Sequence, residues 1–87
     1  MNWKRIKTGV GTIHYRAFGV NGIANIYRGS NAYAVRVRLL TVKDDRGRVR
    51  AHGQDIAYHP VRRLREAKQM AEATLRHHDR RCGPVAS

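Results

Sequence analysis

Apolar and polar positions alternate through much of the first sixty residues, and this period of two predicts β-strands. The clearest alternation covers residues 32–42. There, Tyr33, Val35, Val37 and Leu39 share one face, while Ala34, Arg36, Arg38 and Leu40 share the other. Residues 12–18 and 23–27 predict two further strands, and the Gly and Asn residues at 19–22 predict the turn between them.

Weaker signals complete the extended part of the chain. Turn-forming residues at 44–47 predict a hairpin into a strand at 48–51, and we interpret residues 55–58 as its continuation beyond Gly53. Residues 3–7 predict a short first strand. The extended region is predicted to end at His59 and Pro60, because proline disfavours helix in the residue before it.

The hydrophobic period changes after Pro60 and predicts one amphipathic helix from Val61 to about His78. Its apolar stripe is formed by Leu64, Ala67, Ala71 and Leu75, and its polar face by Arg62, Arg65, Glu66, Gln69, Glu72 and Arg76. Residues 79–87 predict a flexible C-terminal tail. The fold predicted for residues 1–78 is therefore a single α+β domain: a three- or four-stranded antiparallel meander with one C-terminal helix packed on one face.

The charge distribution indicates the kind of partner that such a domain would have. The chain of 87 residues holds 18 Lys and Arg against six Asp and Glu, a net charge of +12. All six carboxylates follow residue 43, while the first 43 residues carry eight basic groups. Unbalanced positive charge repels itself and lowers stability, so its usual use is to bind a polyanion. We therefore expect a non-enzymatic nucleic-acid-binding protein.

The alternation of apolar and polar positions also indicates which side chains would bind the nucleic acid. If the helix covers the face of Val35 and Val37, then Arg36 and Arg38 face water, and strand pairing would bring His14 and Arg16 to the same side. The predicted nucleic-acid-binding residues are these strand arginines and the basic groups around the start of the helix: Arg16, Arg36, Arg38, Arg62, Arg63, Arg65 and Lys68.

Aromatic and turn residues add further candidates. Phe18 and Tyr27 are expected to be available for base stacking, whereas Trp3, Tyr15 and Tyr33 are expected in the core. Base contacts from the turns would come from Asn21, Asn31 and Arg46.

The order of strands and helix resembles the arm-binding domains of phage integrases and the DNA-binding domains of plant ethylene-response proteins. In those domains a three-stranded sheet enters the major groove and a helix of Leu-x-x-Ala type backs it. The matching helix residues here are Leu64, Glu66, Ala67, Lys68 and Ala71, and the resemblance covers residues 12–78. It implies DNA rather than RNA as the ligand, and a phage or mobile-element type of protein.

A second likeness covers less of the chain. Arg65, Ala67 and Lys68 match the helix start of double-stranded-RNA-binding domains, and residues 11–18 are similar to the Gly-Pro-x-His-x-x-x-Phe motif of that family. Thr12 replaces its proline, and the N-terminal helix of the family has no counterpart here.

No motif supports catalysis or a cofactor. Gly9 and Gly11 lack the third glycine of a dinucleotide loop, since His14 stands in its place. His77, His78, Asp79 and Cys82 are metal-ligating residue types close in sequence, but no Cys-x-x-Cys pair accompanies them, so we expect no metal site. A single cysteine excludes an intrachain disulfide and favours a cytoplasmic location, and no apolar run is long enough for a membrane span.

Two alternatives stay open at this point. The basic face could dock on an acidic protein surface, as an inhibitor of a host-defence or nucleic-acid-handling complex would. An uncovered sheet edge could also pair with a second copy of the chain to form a homodimer.

Overall fold

The computed structural model describes residues 2–7 and 13–82. Within these residues the elements, in chain order, are β1 (Lys4–Lys7), β2 (Ile13–Phe18), β3 (Gly22–Arg28), β4 (Tyr33–Leu39), β5 (Val42–Lys43), β6 (Val49–Ala51), β7 (Gln54–Val61) and α1 (Leu64–Arg81). Five strands form one antiparallel sheet in the order β1-β2-β3-β4-β7, and β5 pairs with β6. The predicted class, an antiparallel sheet with one C-terminal helix packed on it, is confirmed. The sheet is one strand wider than the largest one predicted.

The core lies between α1 and one face of the sheet. Ala24, Ile26, Val35 and Val37 are buried there against Ala67, Ala71 and Leu75 of the helix. The predicted alternation of β4 is confirmed, because Val35, Val37 and Leu39 are buried while Arg36 and Arg38 are exposed. Trp3, Tyr15 and Tyr33 are partly buried and pack against this core, as predicted.

Small residues allow the helix to approach the sheet closely. A Cβ atom added at Gly22 would lie 2.7 Å from Cδ2 of Leu75 and 2.9 Å from the carbonyl oxygen of Arg38. Polar contacts also bind the helix to other elements: Trp3 Nε1 donates to Glu72 Oε1 at 2.9 Å, and Asn21 Nδ2 donates to Asp79 Oδ1 at 3.2 Å. Glu72 is therefore half-buried rather than part of the solvent-facing side on which it was predicted.

The extended region continues past the point where it was predicted to end. β7 runs through Pro60 to Val61, and α1 begins at Leu64. Pro60 is tolerated because β7 is an edge strand, where a missing N–H removes no necessary ladder bond. At its other end, α1 extends to Arg81 rather than about His78, so the first residues of the predicted tail are helical. The last five residues of that tail lie outside the described residues.

The predicted turn at 44–47 closes the hairpin of β5 and β6. Gly47 has a φ of +79°, which suits glycine, and Asp44 Oδ1 accepts hydrogen bonds from the backbone N–H groups of Arg46 and Arg48. Leu39 pairs with Gln54 and Val42 pairs with Ala51, so this hairpin continues the register of β4 and β7. It is the outer part of one long hairpin that is interrupted at residues 40–41 and 52–53.

Candidate functional site

The sheet face opposite α1 carries a row of polar and basic side chains, and we name this side of the sheet the open face. Lys4 pairs with Arg16, Arg16 with Asn25, and Asn25 with Arg36 across four adjacent strands. Directly paired residues of a sheet project to the same side, so the four side chains form one line across β1, β2, β3 and β4. The predicted placement of Arg16 beside Arg36 and Arg38 agrees with this register.

The centre of the open face is a shallow depression of about 300 Å³. It is lined by Arg16, Ile23, Asn25, Tyr27, Arg36, Arg38 and Asp55, and we name it the arginine depression. Three strand residues predicted as ligand-binding, Arg16, Arg36 and Arg38, thus meet at one site. Ile23, Asn25 and Tyr27 alternate along β3 and form its floor from one end to the other.

The electrostatics of the depression are dominated by its arginines. Among residues 2–7 and 13–82, the pair of Arg38 Nε and Asp55 Oδ1 at 3.3 Å is the sole ion pair. Its two side chains are 70% and 56% exposed, so the attraction is screened and worth about 0–1 kcal/mol. Arg16 and Arg36 have no carboxylate partner within the same residues. The open face therefore keeps an excess of positive charge.

Tyr27 gives this basic surface an aromatic ring. The residue is 39% exposed, and its ring lies beside that of His14, with 5.5 Å between the ring centroids and 30° between the ring planes. His14 was expected beside the arginines, and its register agrees, but its side chain is buried with only 8% exposure. His14 therefore supports the position of Tyr27 from its neighbouring strand and offers little surface of its own. Its Nε2 atom is buried without a hydrogen-bond partner.

Phe18, the other residue predicted to stack on bases, lies at the end of the open face, because it pairs with Ile23 and Ile23 pairs with Arg38. It is 58% exposed at the end of β2, and it lines a separate groove with Glu72, Arg76 and Asp79 near the helix. Two carboxylates in that groove disfavour a phosphate. Tyr27 lines the arginine depression, whereas Phe18 does not.

The remaining predicted binding residues lie apart from the arginine depression. Arg62 and Arg63 are exposed in the connection between β7 and α1, and Arg65 is exposed on the helix. Lys68 is half-buried, with Nζ 5.3 Å from the ring centroid of Tyr15 on the helix side of the sheet. The seven predicted residues therefore belong to two surfaces, with only the strand arginines on the open face.

The turn residues that were predicted to contact bases do not lie together. Asn21 is engaged with Asp79 through its Nδ2, whereas Asn31 and Arg46 are exposed in turns beyond the ends of the sheet strands. None of the three lines the arginine depression. Any base contact on the open face must therefore come from strand residues.

His78 and Cys82 near the C-terminus have structural contacts, whereas His77 is exposed. His78 is buried, with Nε2 3.0 Å from the carbonyl oxygen of Leu40. Burial raises the pKa of the Cys82 thiol; Asp79 adds to this rise, while Arg81 and Arg50 oppose it. In the described part of the chain, no three His, Cys, Asp or Glu side chains are grouped so that they could hold a metal ion. Nor does any helix there have the length and apolarity to cross a membrane.

Two members of the open face were not found from the sequence. Asn25 lies in the middle of a strand, and Lys4 lies in the short β1, so neither carried a motif. The position of the turn at residues 19–22 could have identified Asn25. A hairpin closed by that turn places Phe18 opposite Ile23, and therefore Arg16 opposite Asn25. No family model, curated protein or solved structure matches this chain.

Proposed function

We propose that this protein binds nucleic acid through the open face of its sheet, without catalysis. The observation that carries the proposal is the meeting of Arg16, Arg36 and Arg38 around one depression whose lining includes a single carboxylate, Asp55. Lys4 extends the same line of positive charge onto the edge strand. A phosphate backbone is the ligand whose charge this surface complements.

The proposed mechanism is neutralisation of phosphates with release of condensed counterions. Guanidinium groups suit it because they offer forked N–H donors to phosphate oxygens and stay charged at every physiological pH. Four contacts, one for each of Lys4, Arg16, Arg36 and Arg38, set the expected salt dependence. Between about 50 and 200 mM salt, affinity should fall about 50-fold for a single strand and about 150-fold for duplex DNA.

Removing equal charge from the two sides of the molecule tests this proposal. Arg36→Gln removes one positive charge from the open face, and Arg65→Gln removes one from the exposed side of α1. Fluorescence anisotropy with labelled oligonucleotides measures both dissociation constants. We expect Arg36→Gln to weaken binding about tenfold and to lower the slope against log salt by about 0.7 to 0.9, whereas Arg65→Gln stays within about twofold.

Other outcomes would reject this assignment. Equal losses in the two variants would mean that net charge, not the open face, binds the ligand. A larger loss in Arg65→Gln would favour the predicted helix cations. No binding of any oligonucleotide at low salt would remove the proposal and leave an acidic protein surface as the partner.

A further inference from the structure

We propose that the ligand of the open face is a single-stranded nucleic acid, with one of its bases stacked on Tyr27. This inference rests on the proposed function and names its substrate class. It depends on three features of the open face: the width of the sheet, the exposed ring among the arginines, and the donor groups beside that ring.

The width of the sheet opposes insertion into duplex DNA. Adjacent strands lie about 4.8 Å apart, so the axes of β1 and β7 are separated by about 19 Å. The major groove of B-DNA is about 12 Å wide. Asn25 and Tyr27 lie on β3, the central strand of the five, and the outer strands would meet the phosphate walls before β3 reached the bases. A single strand has no such walls and can lie flat on the open face.

The floor of the arginine depression suits bases better than phosphates. Ile23 and Tyr27 contribute apolar and aromatic surface at positions where a purely phosphate-binding site needs only charge and hydrogen-bond donors. Every base has a π-face, so an exposed tyrosine ring can stack on any of them, at about 1–3 kcal/mol a base. In duplex DNA those faces are already stacked within the helix.

Asn25 supplies hydrogen-bond donors next to the ring. Arg16 Nε, which can only donate, bonds to Asn25 Oδ1 at 2.8 Å, so the amide oxygen is turned towards Arg16 and Nδ2 remains to donate. Tyr27 is two residues further along the same strand, about 7 Å away. A base on Tyr27 would thus have an amide donor within reach of its edge.

The arginines are arranged on both sides of this strip. Arg16 lies on β2 and Arg36 on β4, so their backbones are about 10 Å apart with β3 between them. A single strand that crosses β3 at Asn25 would meet one guanidinium on each side of β3, and a base between them would stack on Tyr27, two residues along the same strand. Phosphates on the two sides of one stacked base would then both be neutralised.

Four probes distinguish the kinds of ligand by anisotropy at about 50 mM salt. They are a labelled DNA single strand of about 16 nucleotides, the RNA of the same sequence, the DNA annealed to its complement, and an abasic deoxyribose-phosphate oligomer of equal length. We expect at least one of the two base-carrying single strands to bind about tenfold or more tightly than both the duplex and the abasic oligomer. Comparison of the DNA and RNA strands shows which sugar is preferred.

Tyrosine variants test the stacking itself. Tyr27→Ala should weaken binding of the preferred single strand about 5- to 150-fold, and should change binding of the abasic oligomer by less than about twofold. Tyr27→Phe should retain the affinity, because the ring is kept. Val20→Ala is the control, because it shortens an exposed apolar side chain in the turn after β2, and it should stay within about twofold.

The experiments distinguish failure of this inference from failure of the proposed function. If the abasic oligomer or the duplex binds as tightly as the single strands, or if Tyr27→Ala weakens all probes alike, the inference is wrong and the proposed function stands. If none of the four probes binds, both are wrong. Circular dichroism of Tyr27→Ala shows whether the variant is folded, and retained affinity in Tyr27→Phe together with loss in a folded Tyr27→Ala supports the inference.

Discussion

Arg16 and Asn25 face each other across β2 and β3, and the guanidinium Nε donates to the amide Oδ1 at 2.8 Å. This contact fixes one side of the guanidinium and leaves its terminal N–H groups for a ligand. It also determines the orientation of the amide, since only the oxygen can accept from Nε. The pair therefore presents N–H donors of both side chains on the open face.

A carboxylate at position 25 should disrupt the proposed interface. Asn25→Asp would keep an acceptor for Arg16 but place a negative charge between Arg16 and Arg36, where a phosphate is proposed to bind. We expect about a tenfold or larger loss of affinity for single-stranded DNA in an anisotropy titration. Asn31→Asp makes the same charge change in an exposed turn and should stay within about threefold. Equal losses in the two variants would contradict a role for Asn25.

Removal of the one carboxylate in the depression should strengthen binding. Asp55→Asn frees Arg38 from its ion pair and adds one unit of positive charge to the open face. We expect affinity to rise about three- to tenfold at low salt, while the free energy of unfolding changes by less than about 1 kcal/mol. Asp45→Asn, an exposed carboxylate in the hairpin turn, is the control. No gain over that control would mean that Asp55 and Arg38 do not face the ligand.

Close packing of β3 against the helix predicts a large effect at Gly22. An alanine methyl there would overlap Leu75 and the backbone oxygen of Arg38, and the backbone atom cannot rotate away. We expect Gly22→Ala to lower the free energy of unfolding by about 1–3 kcal/mol in urea denaturation. In contrast, Gly47→Asn occupies an open turn position with positive φ, which asparagine tolerates, and should change little. An unchanged stability of Gly22→Ala would show that α1 is not held this close to the sheet.

The buried thiol of Cys82 should make stability depend on alkaline pH. Burial raises its pKa above the ordinary value of 9.0, so the folded state holds the proton more tightly than the unfolded state. The resulting contribution to stability is present below about pH 9 and is lost as pH rises through the folded-state pKa. Urea denaturation at several pH values, compared with Cys82→Ala, isolates it from other groups. The stability difference between the two proteins should be constant up to about pH 9 and should shift against the wild type above it. A difference that does not change with pH would contradict this account of the thiol.

The fold could be predicted where a repeating pattern was long enough to be distinctive. The alternation around Val35 and Val37 identified β4 and its two faces, and the spacing of Ala67, Ala71 and Leu75 identified the helix. The end of the extended region was predicted wrongly at Pro60, because the effect of a proline on a strand depends on whether that strand is central or at the edge of the sheet. An edge strand accommodates proline, and the sequence alone does not show which strand is at the edge.

The site was predictable only in part, for the same physical reason. The side of the sheet occupied by Arg36 and Arg38 follows from the alternation within one strand, but their neighbours depend on pairing between strands. Asn25 enters the site only through its register with Arg16 and Arg36. His14 is on the expected side, yet packing beside Tyr27 buries it, which alternation cannot show. The basic residues around the start of the helix were grouped with the strand arginines because the sequence does not show on which side of the folded domain a charged side chain lies.

Chemical-shift mapping tests the central claim most directly. Amide resonances of the ¹⁵N-labelled protein, followed during titration with the tightest-binding oligonucleotide, report which surface the ligand touches. We predict that the largest changes fall on Arg16, Asn25, Tyr27 and Arg36, while the exposed side of α1 around Arg65 changes little. Changes centred on Arg62, Arg65 and Lys68, with the open face unaffected, would contradict the account.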